Sequence, residues 1–167
     1  PKRASDTLRV AAEKAGWGRE MEPGRGLGIA FHFDHRGHTA HVAEVTVDGS
    51  QYSLDKMYVA VDIGPILNMS GARTQVEGCV IDGLSTTQLE VTFEEGVTQQ
   101  RNFQNYRVLK LDRAPEVECH FIQSENSPTG LGEPPIPPVA PAIANAIFAA
   151  TGVRIREMPF KKAGITV

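Results

Sequence analysis

Three consecutive segments of alternating apolar and polar residues constrain the fold of this chain more than any other feature of its sequence. They cover Ile29–Phe33, Thr39–Val47 and Tyr52–Ile63, with turn residues at Arg36-Gly37 and at Asp48-Gly49-Ser50. A period of two is typical of strands that bury one face, and short turns join antiparallel neighbours. The sequence therefore predicts an antiparallel sheet.

Helical signals lie on both sides of these strands. Apolar residues spaced three and four apart, with polar caps ahead and glycines behind, predict three helices. The first runs to about Ala15 from caps at Ser5 and Asp6, the second covers residues 71–89 behind caps at Asn68 and Ser70, and the third covers Val139–Thr151. A loop over residues 22–28, a hairpin around 94–96 and a short strand over 117–122 complete the assignment. The predicted fold class is α+β, in a single domain over residues 1–167, with a central helix and a C-terminal helix packed against antiparallel strands.

The charge and composition of the chain argue against several classes of function. The net charge is −3, whereas nucleic-acid binding requires a basic surface, so no nucleic-acid partner is expected. No apolar run approaches the roughly 20 residues that span a bilayer. Cys79 and Cys119 lack the spacing of metal ligands and are predicted to be buried free thiols. The chain starts at Pro1 without a targeting motif, which predicts a piece of a longer protein.

The segment Ser127–Pro135 is the strongest candidate for a functional site. It holds two glycines, Gly130 and Gly132, and one acid, Glu133, immediately ahead of the third predicted helix. Glycine lets another group approach the backbone, and proline holds a loop in one shape. A carboxylate enclosed by an apolar loop makes a good general base, because its charged form is disfavoured. The same carboxylate could instead offer its charge to the amino end of the helix, and local physics leaves both interpretations open.

The order of motifs along the chain resembles that of a known enzyme family. The matching motifs are Val61-Asp62-Ile63-Gly64, Asn68, Gln75-Val76-Glu77-Gly78, Gly83-Leu84-Ser85, Asn102-Phe103, Tyr106-Arg107, Pro115–Glu118, Gly130–Pro135 and Pro137–Ala146. Together they resemble the C-terminal part of the molybdenum-binding large subunit of the xanthine dehydrogenase/aldehyde oxidoreductase family, in the branch of isoquinoline 1-oxidoreductase and membrane-associated aldehyde dehydrogenase. The resemblance extends from about Trp17 to Phe160.

This resemblance implies a fragment of a molybdopterin-binding domain in an oxidoreductase. In the family, the glutamate matched by Glu133 stands beside the molybdenum and takes the proton of the hydroxyl that attacks an aldehyde or an N-heterocycle. Gln75 matches a glutamine that hydrogen-bonds the pterin, a role that suits an amide because it both donates and accepts. Gly130 and Gly132 lie in the same motif as the glutamate, and Asn68 lies ahead of the pterin-binding helix. These three residues are expected to contact the cofactor, and no residue of the chain is expected to ligate the metal.

The implied cofactor is molybdopterin, in the cytosine dinucleotide form, with molybdenum in the complete enzyme. Other cofactor contacts in the family come from upstream segments, so the chain alone is expected to lack both cofactor and activity. The implied partners are the remainder of the large subunit, an iron–sulfur subunit, an electron acceptor such as a cytochrome, and a small-molecule aldehyde or N-heterocycle. Asn68-Met69 stands where the family commonly has Asn-Pro, which predicts a less rigid loop.

The sequence leaves the compartment and one alternative function open. Related bacterial enzymes are periplasmic or membrane-associated, and the sequence leaves a cytoplasmic location possible as well. The alternative function is a non-catalytic scaffold or subunit-docking module of the same fold, in which Glu133 is only a charge near a helix end. A catalytic half-site requires Glu133 and Gln75 to converge on one concave surface, whereas a scaffold does not.

Three further patterns are interpreted as structural. Histidines recur every three residues at positions 32, 35, 38 and 41, but strand alternation places such positions on opposite faces. A polar, solvent-facing hairpin is therefore predicted in place of a metal site. Gly24–Gly28 leads into a strand and not a helix, so it lacks the anion-binding helix end of a phosphate loop. Pro134–Pro138 precedes a helix and is predicted to be a rigid support instead of a polyproline ligand.

Overall fold

A computed structural model describes residues 2–167 as three α-helices, six strands and two short 3-10 helices. The helices are α1 (Lys2–Ala15), α2 (Met69–Thr86) and α3 (Val139–Thr151). The strands are β1 (Arg25–Asp34), β2 (Gly37–Asp48), β3 (Gln51–Asp62), β4 (Phe93–Glu94), β5 (Val97–Thr98) and β6 (Glu116–Phe121). The 3-10 helices cover Leu111–Arg113 and Phe160–Ala163. Within the described residues, no helix has both the length and the apolar character needed to cross a bilayer.

Four strands form one sheet in the order β1-β2-β3-β6. The pairs β1–β2 and β2–β3 are antiparallel, as predicted, with Val42 of β2 between Ile29 and Tyr58. β6 runs parallel to β3, so the prediction of antiparallel strands throughout is wrong for this strand. A parallel neighbour requires a crossover connection, which α2 and the segment that follows it provide. The α+β fold class itself is confirmed.

Helices cover both faces of this sheet. On one face, α1 packs Ala11 and Ala15 against a small cluster that includes Ala40 and Val42. On the other face, α2 and α3 pack on the main core, which includes Met57, Val59, Val61, Val76, Val80, Leu84, Ile143 and Ile147. Because helices cover both faces of β2, this strand is buried along most of its length. The alternating apolar and polar residues of β2 therefore do not correspond to one buried and one solvent-exposed face.

Two glycines on β1 allow α3 to lie directly against the sheet. A Cβ on Gly28 would stand 2.1 Å from the backbone nitrogen of Ala146 and 2.2 Å from the carbonyl oxygen of Ala142. A Cβ on Gly26 would stand 2.3 Å from the carbonyl oxygen of Ala146. β1 begins at Arg25, so the predicted loop over residues 22–28 is shorter than expected. This close approach sets the position of α3, and with it the end of the loop that precedes α3.

The cap of α2 at Asn68 and the stop of α3 at Gly152 are confirmed, whereas Ser70, also predicted as a cap, lies inside α2. The side-chain oxygen of Asn68 caps α2 by accepting a hydrogen bond from the amide of Gly71 at 2.9 Å. α3 ends at Gly152, whose φ of 77° lies in the left-handed region that glycine adopts at low cost. α2 ends at Thr86, a few residues before its predicted end.

α1 begins earlier than predicted, at Lys2. Ser5 and Asp6 therefore lie inside the helix, and their prediction as caps is wrong. Arg3, in the first turn, forms an ion pair with the buried carboxylate of Asp62 at 2.7 Å. This contact with the end of β3 stabilises the first turn of the helix. It joins residues that are far apart in the sequence, so no local pattern predicts it.

The segment between α2 and β6 contains little regular structure. β4 and β5 form the predicted hairpin, with Glu95 and Gly96 at its tip in the left-handed region (φ 51° and 78°). Large apolar side chains along this segment are exposed, including Phe93, Phe103 and Leu111. Exposed apolar surface of this kind is available for contact with another part of a larger protein.

His41 lies in the core, so the prediction that this part of the hairpin faces solvent is wrong. Its side chain is fully buried on β2, and neither ring nitrogen has a hydrogen-bond partner among residues 2–167. Burial lowers the pKa of His41 to about 3, so the imidazole is neutral. Across the described residues, no group of three or more His, Cys, Asp or Glu side chains is placed to hold a metal ion.

The buried His41 is expected to make the fold sensitive to acid. Its pKa of about 3 in the folded chain lies below the ordinary value of 6.5, so between these values the unfolded state binds more protons. The free energy of unfolding should be highest above about pH 6.5 and should fall by up to about 1.4 kcal/mol per pH unit toward pH 3. Urea unfolding between pH 7 and pH 4 measures this slope. His41→Leu should flatten it and the exposed His35→Gln should not, whereas an unchanged slope in His41→Leu would contradict the assignment.

Candidate functional site

The loop between β6 and α3 carries the predicted functional motif and is fastened to the end of β3. Leu131 is buried in the main core, and the amide of Thr129 donates to the carbonyl of Ile63 at 3.1 Å. Gly64 (φ 79°) allows close approach to the start of the loop, since a Cβ there would stand 2.5 Å from the carbonyl oxygen of Asn126. These contacts hold a segment without regular secondary structure in a defined shape.

Glu133 lies on the open side of this loop. Its side chain is exposed, while Pro134 and Pro135 are buried beneath it. The prediction that the loop itself encloses the carboxylate is therefore wrong for this chain, because the prolines pack inward and leave the acid outside. The carboxylate makes no hydrogen bond or ion pair with any residue in the range 2–167. The first turn of α3, whose N-cap is Pro138, receives no side-chain hydrogen bond, so Glu133 does not cap it.

An open cavity of about 520 Å³ lies beside the carboxylate. Gly130, Gly132 and Glu133 line one side of it, and His35 and Arg36 line the other. The last two residues form the tip of the β1–β2 hairpin, where both adopt left-handed backbone angles (φ 48° and 66°). The hydroxyl of Thr129 donates to the carbonyl of His35 and so joins the two walls. One free acid, an arginine and a histidine thus line the same cavity.

Gln75 reaches the same loop from α2. Its side-chain oxygen lies 3.9 Å from the point where a Cβ on Gly132 would stand. The side chain is exposed, and its amide has no hydrogen-bond partner in the part of the chain that the structure describes. Gln75 is not among the residues that line the cavity, so the expected convergence of Gln75 and Glu133 on one concave surface is not met within this chain. Gln75 instead meets the loop at Gly132, one residue before the acid. The fold nevertheless brings together two candidate residues that are far apart in the sequence.

The backbone of the loop offers unpaired hydrogen-bond donors next to Gln75. The amide groups of residues 130–133 have no acceptor among residues 2–167. A side chain at Gly130 would meet nothing within 4 Å, so this part of the backbone is open to an approaching group. Several N–H donors beside an amide that both donates and accepts suit a ligand with a polar heteroaromatic ring and anionic oxygens. The chemistry of the donor set therefore fits a pterin cofactor.

Asn68 is only partly available for such a ligand. Its side-chain oxygen is occupied as the cap of α2, while its side-chain nitrogen has no partner within residues 2–167. The structure shows no hydrogen bond between Asn68 and the Glu133 loop. Gln75, Gly130, Gly132 and Glu133 are thus brought together, and Asn68 stands apart at the amino end of α2.

Three residues at this site were not predicted from the sequence. Cys79 lies four residues after Gln75 on α2 and donates its thiol hydrogen to the carbonyl of Gly132 at 3.1 Å. Helical spacing from Gln75 places Cys79 on the same face, so this signal was present in the sequence. His35 and Arg36 carry no comparable signal, because their place beside Glu133 depends on how a distant loop packs on the hairpin.

The chain thus folds as an α+β domain with a free acid on a donor-rich loop beside a helix. Residues 6–115 match the family model described as molybdopterin cofactor-binding domain. The chain belongs to this family, within the molybdenum-binding subunits of the xanthine dehydrogenase family. Glu133 and its loop lie outside the matched range but inside the stretch aligned with full-length relatives.

The curated relatives are much longer than this chain. It is 36% identical to the membrane-bound aldehyde dehydrogenase (pyrroloquinoline-quinone) of Gluconacetobacter polyoxogenes, over 98% of this chain and 22% of that protein. It is 30% identical to isoquinoline 1-oxidoreductase subunit beta of Brevundimonas diminuta, over 96% of this chain and 21% of that protein. The chain therefore spans about a fifth of the length of these relatives, one of which is named as a subunit.

Solved structures share the fold. Quinoline 2-oxidoreductase from Pseudomonas putida 86 aligns with a TM-score of 0.67 at 18% identity, over 74% of this chain and 17% of that one. Aldehyde oxidoreductase from Desulfovibrio gigas aligns with a TM-score of 0.63 at 27% identity, over 74% of this chain and 14% of that one. The arrangement of sheet and helices is thus that of a segment of much larger enzymes.

Proposed function

We propose that this chain is the C-terminal portion of the large subunit of a molybdenum hydroxylase. The complete enzyme oxidises an aldehyde or an N-heterocycle by adding oxygen derived from water. The chain supplies the catalytic base, Glu133, and part of the wall that binds the pterin. The observation that carries this proposal is the approach of Gln75 to the loop at Gly132, one residue before Glu133, since a scaffold with the same fold has no need to bring this glutamine to the loop of the acid.

Glu133 is suited to accept a proton because its carboxylate is free of protein partners. An acid already engaged in an ion pair would have to break that contact before acting as a base. The buried prolines that follow it hold the backbone, so the carboxylate stays at one edge of the cavity. When bound, the molybdenum cofactor supplies the redox chemistry, while the protein orients substrate and base. The role of Glu133 is to take up the proton released by the water-derived nucleophile at one carboxylate oxygen.

Gln75, Gly130, Gly132 and Asn68 are proposed to hold the cofactor. The Gln75 amide pairs with the edge of the pterin, and the unpaired loop amides donate to its oxygen atoms. The side-chain nitrogen of Asn68 remains free to donate even while its oxygen caps α2. The proposed cofactor is molybdopterin in the cytosine dinucleotide form, with molybdenum.

The proposal also includes protein partners, because the residues of this chain do not enclose the site. The cavity beside Glu133 is open, and the residues of this chain form only part of its wall. The remainder of the large subunit is proposed to close it, and the exposed apolar residues Phe93, Phe103 and Leu111 suit such a contact. An iron–sulfur subunit and an acceptor such as a cytochrome would remove the electrons. The isolated chain is accordingly proposed to be inactive.

Changes at Gln75 and Asn68 test the cofactor-binding part of this proposal. Gln75→Leu in the full-length subunit is expected to lower molybdenum content per subunit several-fold, because hydrogen bonds of about 1 kcal/mol each are lost. Asn68→Asp keeps the capping oxygen but removes the donor, so it should lower molybdenum content without lowering the melting temperature. Thr74→Val, on the same helix, is the matched control. Normal molybdenum in both variants, or a purified enzyme that holds pyrroloquinoline quinone and no molybdenum, would contradict the proposal.

A further inference from the structure

Cys79 connects the helix that carries Gln75 to the loop that carries Glu133. The residue lies on α2, four positions after Gln75, and is only 4% exposed. Its sulfur lies 3.1 Å from the carbonyl oxygen of Gly132 and 3.8 Å from that of Leu131. The peptide unit that holds the Gly132 carbonyl also contains the amide of Glu133. The thiol therefore contacts the backbone immediately beside the proposed base.

The thiol remains a hydrogen-bond donor under ordinary conditions. Burial raises the pKa of Cys79 to about 11, with smaller contributions from the carboxylates of Asp82 and Glu133. A protonated thiol can donate to a carbonyl, whereas a thiolate cannot. Two backbone hydrogen bonds also hold the loop: the amide of Thr129 donates to the carbonyl of Ile63 at 3.1 Å, and the amide of Ile136 donates to the carbonyl of Glu133 at 2.9 Å. The first lies four residues before Glu133 and the second stays within the loop, so the Cys79 thiol is the contact that joins this part of the loop to α2.

We propose that Cys79 is a positioning residue for Glu133: its thiol holds the Gly132 carbonyl against α2 and thereby fixes the carboxylate relative to Gln75. This inference rests on the proposed function, because it assigns Glu133 as the base. Gln75 and Cys79 lie about one helical turn apart on α2. The contact of Cys79 with the loop therefore fixes the distance between Glu133 and Gln75. A displacement of about 1 Å in a reacting group can lower a rate by up to about a hundredfold, so one such contact has a measurable effect.

Cys119 provides a matched control for this proposal. It is a second buried free thiol, 7% exposed, and belongs to the main core. Its thiol makes no hydrogen bond to the Glu133 loop in residues 2–167. Cys79→Ala and Cys119→Ala thus remove equal volumes from two buried positions, but only the first removes a contact with the loop.

The experiment measures two quantities in the full-length subunit assembled with its partners. The first is hydrogen exchange of the peptide over residues 127–138, which contains the bonded amides of Thr129 and Ile136. The second is kcat and KM for an aldehyde or N-heterocycle, normalised to molybdenum content. Cys79→Ala is expected to speed exchange in this peptide and to lower kcat by about tenfold to a hundredfold with little change in KM. Cys119→Ala should change neither quantity, and Cys79→Ser, which keeps a donor, should recover most of the loss.

Three results would overturn the inference. The first is exchange in residues 127–138 that is the same in Cys79→Ala as in Cys119→Ala. The second is a kcat in Cys79→Ala equal to that of the unmodified enzyme, and the third is a loss of kcat that Cys79→Ser shares in full. If Cys79→Ala does not fold, Cys79→Val, which removes the donor without leaving a cavity, takes its place in both measurements. Failure of the proposed function would be recognised separately, as normal turnover in the Glu133→Gln enzyme. That result does not depend on hydrogen exchange in the Cys79 variants.

Discussion

Glu133→Gln in the full-length subunit, assembled with its partners, is expected to lower kcat by about 10²–10⁴ while leaving molybdenum content unchanged. Loss of a general base typically has an effect of this size. Glutamine keeps the shape of glutamate but cannot take up the proton. Because the Glu133 side chain is exposed and makes no hydrogen bond or ion pair with other described residues, its replacement should not disturb the fold. The measurement is steady-state turnover of an aldehyde or N-heterocycle per bound molybdenum.

Glu125→Gln is the matched control for this experiment. Glu125 is also exposed and lies in the same connection between β6 and α3, but it does not line the cavity. Its replacement should leave both turnover and molybdenum content unchanged. Normal turnover in Glu133→Gln with normal metal content would instead assign this chain to the scaffold alternative.

Gly28→Ala is expected to destabilise the fold by at least about 3 kcal/mol, at or beyond the upper end of the usual cost of overpacking. The added Cβ would stand 2.1 Å from the backbone nitrogen of Ala146 and 2.2 Å from the carbonyl oxygen of Ala142. Both atoms belong to the backbone of α3, so the clash cannot be relieved by a change of rotamer. α3 must move away from the sheet, and its buried residues Ile143 and Ile147 lose part of their packing. The melting temperature and soluble yield of the full-length subunit measure the effect.

Gly78→Ala is the opposite control. Gly78 lies inside α2, and a Cβ there would meet nothing within 4 Å. Alanine is favoured over glycine inside a helix by about 0.5–1 kcal/mol, so this variant should be slightly more stable than the unmodified protein. An equal melting temperature in Gly28→Ala and Gly78→Ala would refute the close contact between β1 and α3.

Local signals in the sequence were sufficient for most of the secondary structure. The alternation in β1, β2 and β3, the cap at Asn68 and the stop at Gly152 all act over a few residues, so they can be identified without knowledge of the fold. The start of α1 and the direction of β6 could not be predicted in this way. The first depends on an ion pair between Arg3 and Asp62, and the second on the path of a long connection.

The features of the candidate site could likewise be predicted from the sequence only in part. The sequence by itself determined that residues 130–135 form a rigid loop with one acid, and that Gln75 lies on a helix. Only the tertiary structure decided that this helix meets the loop at Gly132, that Cys79 links the two, and that His35 and Arg36 line the same cavity as Glu133. It also decided that Glu133 is exposed while His41 is buried. The physical reason is that propensities, caps and periodicity are local, whereas burial and contacts between distant segments depend on how the helices cover the two faces of the sheet.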